Sequence, residues 1–591
     1  MFKNNFIKRM QHFRVNLREW FVMLGVFKQL SVVLFVGFVL VLFSSLITDS
    51  IQISYMVFVD PPALAEANVK GIKLLFSFIL MLFGLVITGF IISVLSSSLE
   101  NTFRDIRAGR LNYNGSNHTL IINYNKRIKK ILDELNLLHR DHGDIHDVVI
   151  LIDDEENVEH LQSHIQDIKE QFTNLHLYLR YGDVLSWQRY EELDILETYS
   201  IILLGDENIK DDFKKDNHSI RIANLLFSNP DFKTYLEEKK RSEIPVKSIV
   251  ELTDIDYAAD IIKEISGGLF LAISPAKILE SILNLSVIDI DFYNIWTELL
   301  SFDGYEFYFV SSKSLNLKNI TYKDVLLRHK LGILVGISRI VDNKFTLLLN
   351  AQEDTIKEDD WLIFIAKDKH KISFEENTLD NKTKFKIKQP KEIYVKNIAI
   401  VGDKQNVKAT EFLDIDKSNI DRVIPDNDKL YTLSYWENIR KDKDTVILNL
   451  EDETIYRIAL SLKKFYNGKI PNEFVFLLED TDIDKHLKLA NIKNTILSDL
   501  LISKYMTQVS HQLTLASVFD ILFQKDGPEI NFILANRLPN EILNDLAQLK
   551  VELISQGMVY LGCEYKDGST VFEATNLENI EKIIVLSEGD F

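Results

Sequence analysis

Cysteine is almost absent: Cys563 is the only one in 591 residues. A single thiol excludes intrachain disulfides and any cysteine-rich metal centre, and it suits the cytosol. Net positive charge is lacking too, with 68 Lys and Arg against 87 Asp and Glu for a formal −19. Nucleic acid is therefore not an expected partner, because its phosphates need a basic surface. The sequence contains no P-loop, no G-x-S-x-G turn and no H-E-x-x-H pair. Without any catalytic constellation, an enzyme is not expected.

Charge is missing from two long stretches near the N-terminus, Leu30–Ile47 and Gly71–Leu95, apart from Lys73. Each is close to the ~20 residues a helix needs to cross a ~30 Å hydrocarbon layer. A backbone in lipid must satisfy its own hydrogen bonds, so both runs read as membrane helices carrying a large soluble body. The segment between them is half apolar and longer than a plain hairpin needs. Ile51–Val59 reads as a short helix that re-enters the membrane, followed by VDPPALAE with Val59, Asp60, Pro61, Pro62, Ala63 and Glu66. Helix, re-entrant loop and helix form the minimal design of a tetrameric cation pore, in which carbonyls and carboxylates replace ion hydration. An ordinary extracellular turn is an equal alternative, and Asp60 either joins a ring of carboxylates or caps the turn at Pro61 and Pro62. The potassium signature TVGYG is absent. Gly84 and Gly89 in the second run are either bending points or sites of close helix packing.

Residues 1–29 are cationic and amphipathic, and Arg104, Arg107 and Arg110 follow the second run. Positive charge marks the inner side, so both termini are placed in the cytoplasm, with the loop outside. The expected location is the inner (plasma) membrane, crossed more than once, with a large cytoplasmic domain.

From Asn117 onward short apolar strands alternate with helical stretches. HTLIINY, DVVILID, LHLYLRYGD, SIILLGD and VKSIVELTD read as strands of a parallel sheet with right-handed crossovers. Asp153, Asp183, Asp206 with Glu207, and Asp254 fall at strand C-termini, the edge where doubly wound folds bind ligands. The alternative for each is an ordinary helix cap. Glycine is missing where a dinucleotide needs it: the first turn is Asn123-Tyr124-Asn125-Lys126-Arg127. Side chains there occupy the place of a pyrophosphate, so classical NAD binding is not expected. The acidic strand ends suit an oxygen-liganded regulator such as Ca²⁺. His118, His146 and His176 read as isolated; His160 and His164 share one helix face without an evident third ligand, and the identity of any metal stays open.

The run ENTFRDIRAGRLNYNGSNHTLIINYN resembles the junction of pore and cytosol in the CASTOR/POLLUX ion channels. SYMVFVDPPALAEAN stands in the place of that family's filter, and LRYGDVLSWQRYEELDILETYSIILLGDEN resembles its next section. The resemblance implies a homotetrameric cation channel in the lipid bilayer, conducting permeant cations. It also implies a cytosolic ring of paired RCK-type domains that opens the pore through ligand or ion binding. The chain departs from the family in having two membrane helices and a VDPPALAE loop, so the choice among K⁺, Na⁺ and Ca²⁺ does not transfer.

The expected fold is thus a membrane α-helical hairpin with a pore loop, followed by α/β Rossmann-like RCK domains with small α+β subdomains. The expected segments are a cytoplasmic N-terminus (1–29), a pore domain (30–100), a linker (101–116), a first Rossmann-like domain (117–300) and its C-terminal subdomain (301–370). A charged linker (371–394) leads to a second Rossmann-like domain (395–525), which starts at VKNIAIVGD, and a second subdomain (526–591). A whole RCK unit is therefore repeated. The alternative function is a membrane-anchored nucleotide or ion sensor that regulates a partner transporter.

Overall fold

The computed structural model describes residues 24, 26–60, 62–66, 69–154, 171–241, 247–253, 255–341, 344–374, 385, 397–402, 420–524 and 527–588. Pro61, His160, His164 and Asp254 lie outside them, as do most of the N-terminal segment and of the charged linker. The chain divides into two compact units, 1–111 and 112–591.

In the first unit, helix α1 (Val26–Thr48) and helix α4 (Ile72–Arg107) are joined through α2 (Ile51–Val59) and the single turn α3 (Ala63–Glu66). Lys28–Thr48 and Ile72–Ile106 are long and apolar enough to cross a membrane. Most of their large side chains, among them Phe35, Phe43, Leu75 and Val86, are exposed. Polar glue holds α2 to α1: the Thr48 and Ser54 hydroxyls lie 2.8 Å apart, and Ser54 donates to Ser44 Oγ at 3.3 Å. Lys73 pairs with Asp49 across the ends of the two long helices. Gly84 decides how closely α4 approaches α2, because a Cβ there would stand 2.0 Å from the Phe58 carbonyl oxygen. Nothing lies within 4 Å of a Cβ built at Gly89. Gly84 is thus a packing glycine within this unit.

The second unit begins with a six-stranded parallel sheet of order β3-β2-β1-β4-β5-β6. Its strands are β1 (His118–Ile122), β2 (His146–Ile152), β3 (Leu175–Tyr181), β4 (Thr198–Leu203), β5 (Lys247–Glu251) and β6 (Phe270–Ile273). β1, β2 and the inner part of β4 are buried almost throughout, as continuous apolar runs between two helical layers require. This is the doubly wound Rossmann order. A four-stranded antiparallel sheet follows, built from Glu306–Ser311, Ile333–Val341, Lys344–Leu349 and Trp361–Ala366. A second parallel sheet contains Ile398–Gly402, Ile420–Val423, Thr445–Asn449, Phe474–Leu478 and Thr495–Leu497. The last sheet, of Pro528–Leu534, Val559–Tyr565, Thr570–Phe572 and Ile580–Glu588, is again antiparallel and four-stranded. Parallel sheet followed by small antiparallel sheet therefore occurs twice.

One helix joins the halves. Ser498–His511 leaves the second parallel sheet and packs against Ile128–His142 and against β4 and β5 of the first. All its residues from Ser498 to Ser510 except Leu500 are buried. A helix buried on every side cannot be amphipathic. Its Ser503 and Thr507 hydroxyls donate to carbonyls one turn back, at 2.6 and 2.8 Å, which satisfies them in an apolar setting.

Gly84→Ala is expected to cost about 1–3 kcal/mol by overpacking against Phe58. Thermal melting in detergent checks this, with Gly89→Ala remaining close to the parent protein.

Candidate functional site

The loop of the first unit places Asp60 at the C-terminus of α2, with extended backbone. The Asp60 N–H donates to the Met56 carbonyl at 2.8 Å, and its own carbonyl accepts from the Ala63 N–H at 3.0 Å. Val59, Asp60 and Pro62 are exposed, while Ala63 is buried. Glu66 is the last residue of α3.

In the second unit, the turn after β1 is filled by side chains. Asn123 adopts a left-handed φ of 68° and donates through Nδ2 to the Leu204 carbonyl at 3.0 Å. Asn125 Nδ2 donates to Glu251 Oε2 at 2.8 Å, and its Oδ1 accepts the Arg127 N–H at 3.0 Å. Arg127 then reaches two carboxylates, Glu251 at 2.5 Å and Asp499 at 3.0 Å. Its side chain is 14% exposed and that of Asp499 3%. Burial pulls the guanidinium down, but Glu251 and Asp499 outweigh it, so the cation is held more firmly than usual. Lys126 pairs with Glu479 at 2.5 Å and Asp499 at 3.1 Å, and Lys130 donates to the Glu479 carbonyl at 2.7 Å.

Glu251 ends β5, Glu479 follows Phe474–Leu478, and Asp499 follows Thr495–Leu497. The C-terminal edges of both parallel sheets therefore meet at this ion cluster. A cleft of about 690 Å³ on one side is lined by Lys126, Lys130, Asn449, Asp452, Glu479 and Asp480. A second of about 340 Å³ is lined by Asn125, Gly205, Glu207, Asp212, Lys215 and Glu251. Gly402 ends the first strand of the second sheet, and a Cβ there would meet the Asn449 carbonyl oxygen at 2.6 Å. That glycine serves close strand packing.

The strand-end carboxylates separate into groups. Burial raises the Asp153 pKa, as do Asp183 and Asp206, against the opposing pull of His218. These aspartates share a field, yet they are not among the side chains gathered closely enough to ligate one ion in the described residues. Glu207 instead faces the smaller cleft. At the fifth strand the carboxylate that enters the site is Glu251, three residues before Asp254. The histidines are not isolated: His118 lies edge-on to Tyr113 at 4.7 Å, His146 stacks on His139 at 4.1 Å, and His176 contacts Asp147 at 3.2 Å. The sequence reading passed over Arg127, Glu251, Glu479 and Asp499. A basic residue in a turn that should hold glycine was the available signal for Arg127.

Two Rossmann-like sheets, each followed by a small antiparallel sheet and joined edge to edge in one chain, define a tandem RCK-type fold. The human SLO3 gating ring shares this fold: it aligns over 80% of this chain and 100% of its own at a TM-score of 0.52, with 9% identity. The GsuK channel bound to NAD aligns over 95% of this chain and 97% of its own at a TM-score of 0.44, with 13% identity. Residues 290–382 match the family model described as Castor and Pollux, part of voltage-gated ion channel. "Probable ion channel POLLUX" of Arabidopsis thaliana is 21% identical over 286 residues, 48% of this chain and 32% of that protein. "Ion channel CASTOR" of Lotus japonicus is 21% identical over 286 residues, 48% of this chain and 31% of that one. The chain is thus similar to the CASTOR and POLLUX ion channels, and the match spans about a third of their length. The family model falls on the first small antiparallel sheet and its flanks.

Arg127→Ala leaves Glu251 buried without its cation and Asp499 with Lys126 alone. The expected loss is about 3 kcal/mol, the lower end for breaking a buried pair because Arg127 keeps some solvent contact. Chemical denaturation measures it, and Arg127→Lys should recover part of the loss.

Proposed function

We propose that the chain is one subunit of a homotetrameric cation channel in the plasma membrane, opened and closed by a cytosolic ring of its RCK-type domains. The observation that carries this reading is the short helix Ile51–Val59, packed on both long apolar helices and ending at the exposed Asp60. Four copies around one axis place four carboxylates at the pore mouth, where they concentrate cations and exclude anions. Relatives named as ion channels support the same class. Helix α4 runs unbroken from the apolar run to Arg107, and only residues 108–111 separate it from the body that begins at Asn112. A rearrangement of the ring therefore acts on the inner helix through a short tether.

A ligand moves that equilibrium only through different affinities for the open and closed rings. The regulator belongs at the sheet edges, with Ca²⁺ drawn to Asp153, Asp183 and Asp206 in a state that brings them closer. NAD is not the ligand of the first edge, because Asn125 and Arg127 stand in the turn that would cradle its pyrophosphate. Submicromolar NAD binding by calorimetry to the isolated 110–370 fragment, which carries the first edge alone, overturns that statement.

Asp60→Asn tests the pore, since it keeps size and one acceptor but removes the charge. The mutant is expected to remain tetrameric in detergent and to show lower cation conductance, or altered divalent block, in planar bilayers. Unchanged conductance in an intact tetramer excludes the carboxylate ring. A parent protein that is neither tetrameric nor conductive leaves the membrane-anchored sensor.

A further inference from the structure

We propose that His139, His142 and Asp144 form a binding site for a divalent transition-metal ion of the Zn²⁺ class, with one coordination position left to water. One ligand atom from each lies within 4.8 Å of the other two, the only such group in the described residues. The site is far along the sheet from the acidic edge. It lies where Ile128–His142 ends and β2 begins, so it is independent of the pore and of any ligand in the clefts.

The local sequence makes the cluster. His139 and His142 are one helical turn apart, so their rings leave the same face of the helix. Gly143 takes the left-handed conformation, φ 71°, and turns the chain back so that Asp144 faces His139. His139 Nδ1 and Asp144 Oδ1 are already 2.9 Å apart. Donors in a tetrahedral zinc site with ~2.0–2.1 Å bonds stand about 3.3 Å from one another, so a small opening admits an ion between them. The hydrogen bond is then replaced by two metal bonds, with the imidazole proton carried on Nε2.

The surroundings fit a cation. The carbonyl end of the 15-residue helix favours positive charge. His139 is buried and held in place by stacking on His146 at 4.1 Å and 5°, and His146 in turn contacts Thr119 Oγ1 at 2.9 Å. Such outer contacts fix a ligand ring in orientation. Arg140, the nearest cation on the helix, is directed to Asp141 and Asp303, both at 3.0 Å. His142 and Asp144 are exposed, which gives an ion its way in. Two imidazoles and one carboxylate select zinc-like ions over Ca²⁺ or Mg²⁺, which prefer all-oxygen shells.

The test uses the untagged full chain in detergent, stripped with chelator and titrated with Zn²⁺ against a chromophoric competitor. Cobalt then provides an optical reading of tetrahedral geometry. The expected result is one ion per chain with visible cobalt bands. His142→Ala and Asp144→Asn, both at exposed positions, should each weaken binding by at least about tenfold, the lower bound for disturbing even an outer shell. His139→Ala is not needed, since its burial ties it to folding. Absence of stoichiometric binding in the parent protein overturns the site. Binding that persists unchanged in the His142→Ala, Asp144→Asn double variant, with circular dichroism like the parent, overturns it equally.

Discussion

The soluble body depends on one buried charge. Arg127 stands where the first sheet would otherwise admit a phosphate, and its guanidinium bridges Glu251 of the first sheet and Asp499 of the second. Taking three ions out of water is expensive, and their attraction offsets that only while all three are present and well oriented. Separating the two halves would take Asp499 away from both Arg127 and Lys126, while Glu251 keeps Arg127 within the first half. The cost of opening the seam is therefore concentrated at one point. Helix Ser498–His511 spreads the same constraint across the sheet: it starts at Arg127 and ends with His511 beside Tyr199 and His142.

The last small subdomain is held to the first half in the same manner. Lys582, on the last strand, reaches Asp289, Asp291 and Glu564; burial alone would discharge it, but Asp289 and Asp291 raise its pKa instead. Tyr305 donates to the Phe572 carbonyl at 2.9 Å, and the Gly332 N–H to Glu573 at 2.6 Å. Both kinds of domain thus pair within the chain, so a pairing that separate chains would make by association is here covalently secured. The effective concentration of one half for the other is set by the linker, not by protein concentration.

Much of the fold was legible because parallel strands buried on both faces read as unbroken apolar runs, and HTLII or VVILI admits little else. The small subdomains were expected only as α+β modules placed after each parallel sheet, without their strand order. The site was less legible. Carboxylates at strand ends follow from the fold, but which of them converge depends on where each strand stops. β5 stops at Glu251, three residues short of the expected strand end, and Glu251 is the carboxylate that joins the cluster. Asp499 was hidden for another reason: it reads as the first-turn acid of a helix, and its partner Arg127 is 372 residues away. No local period carries a contact of that range. His139 and His142 were passed over for a different reason: they lie on a helix whose amphipathic pattern already accounts for its residues.

The two acidic regions of the first sheet edge differ in what they can accept. Around Arg127, the carboxylates of Glu251, Glu479 and Asp499 are already paired with Lys126 and Arg127, and Lys130 reaches the Glu479 carbonyl. A metal ion entering there must displace a lysine or arginine that already holds its place in a low-dielectric setting. Around Asp153 the balance is different: Asp183 and Asp206 add to its negative field, and His218 acts against them. Burial raises the Asp153 pKa first and its acidic neighbours raise it further, so this carboxylate is less stable as an anion than an isolated one. A bound cation would relieve that repulsion, whereas at the Arg127 cluster it would create it. Anionic or zwitterionic ligands face the reverse choice, and the lysines that border both clefts are the groups positioned to meet them.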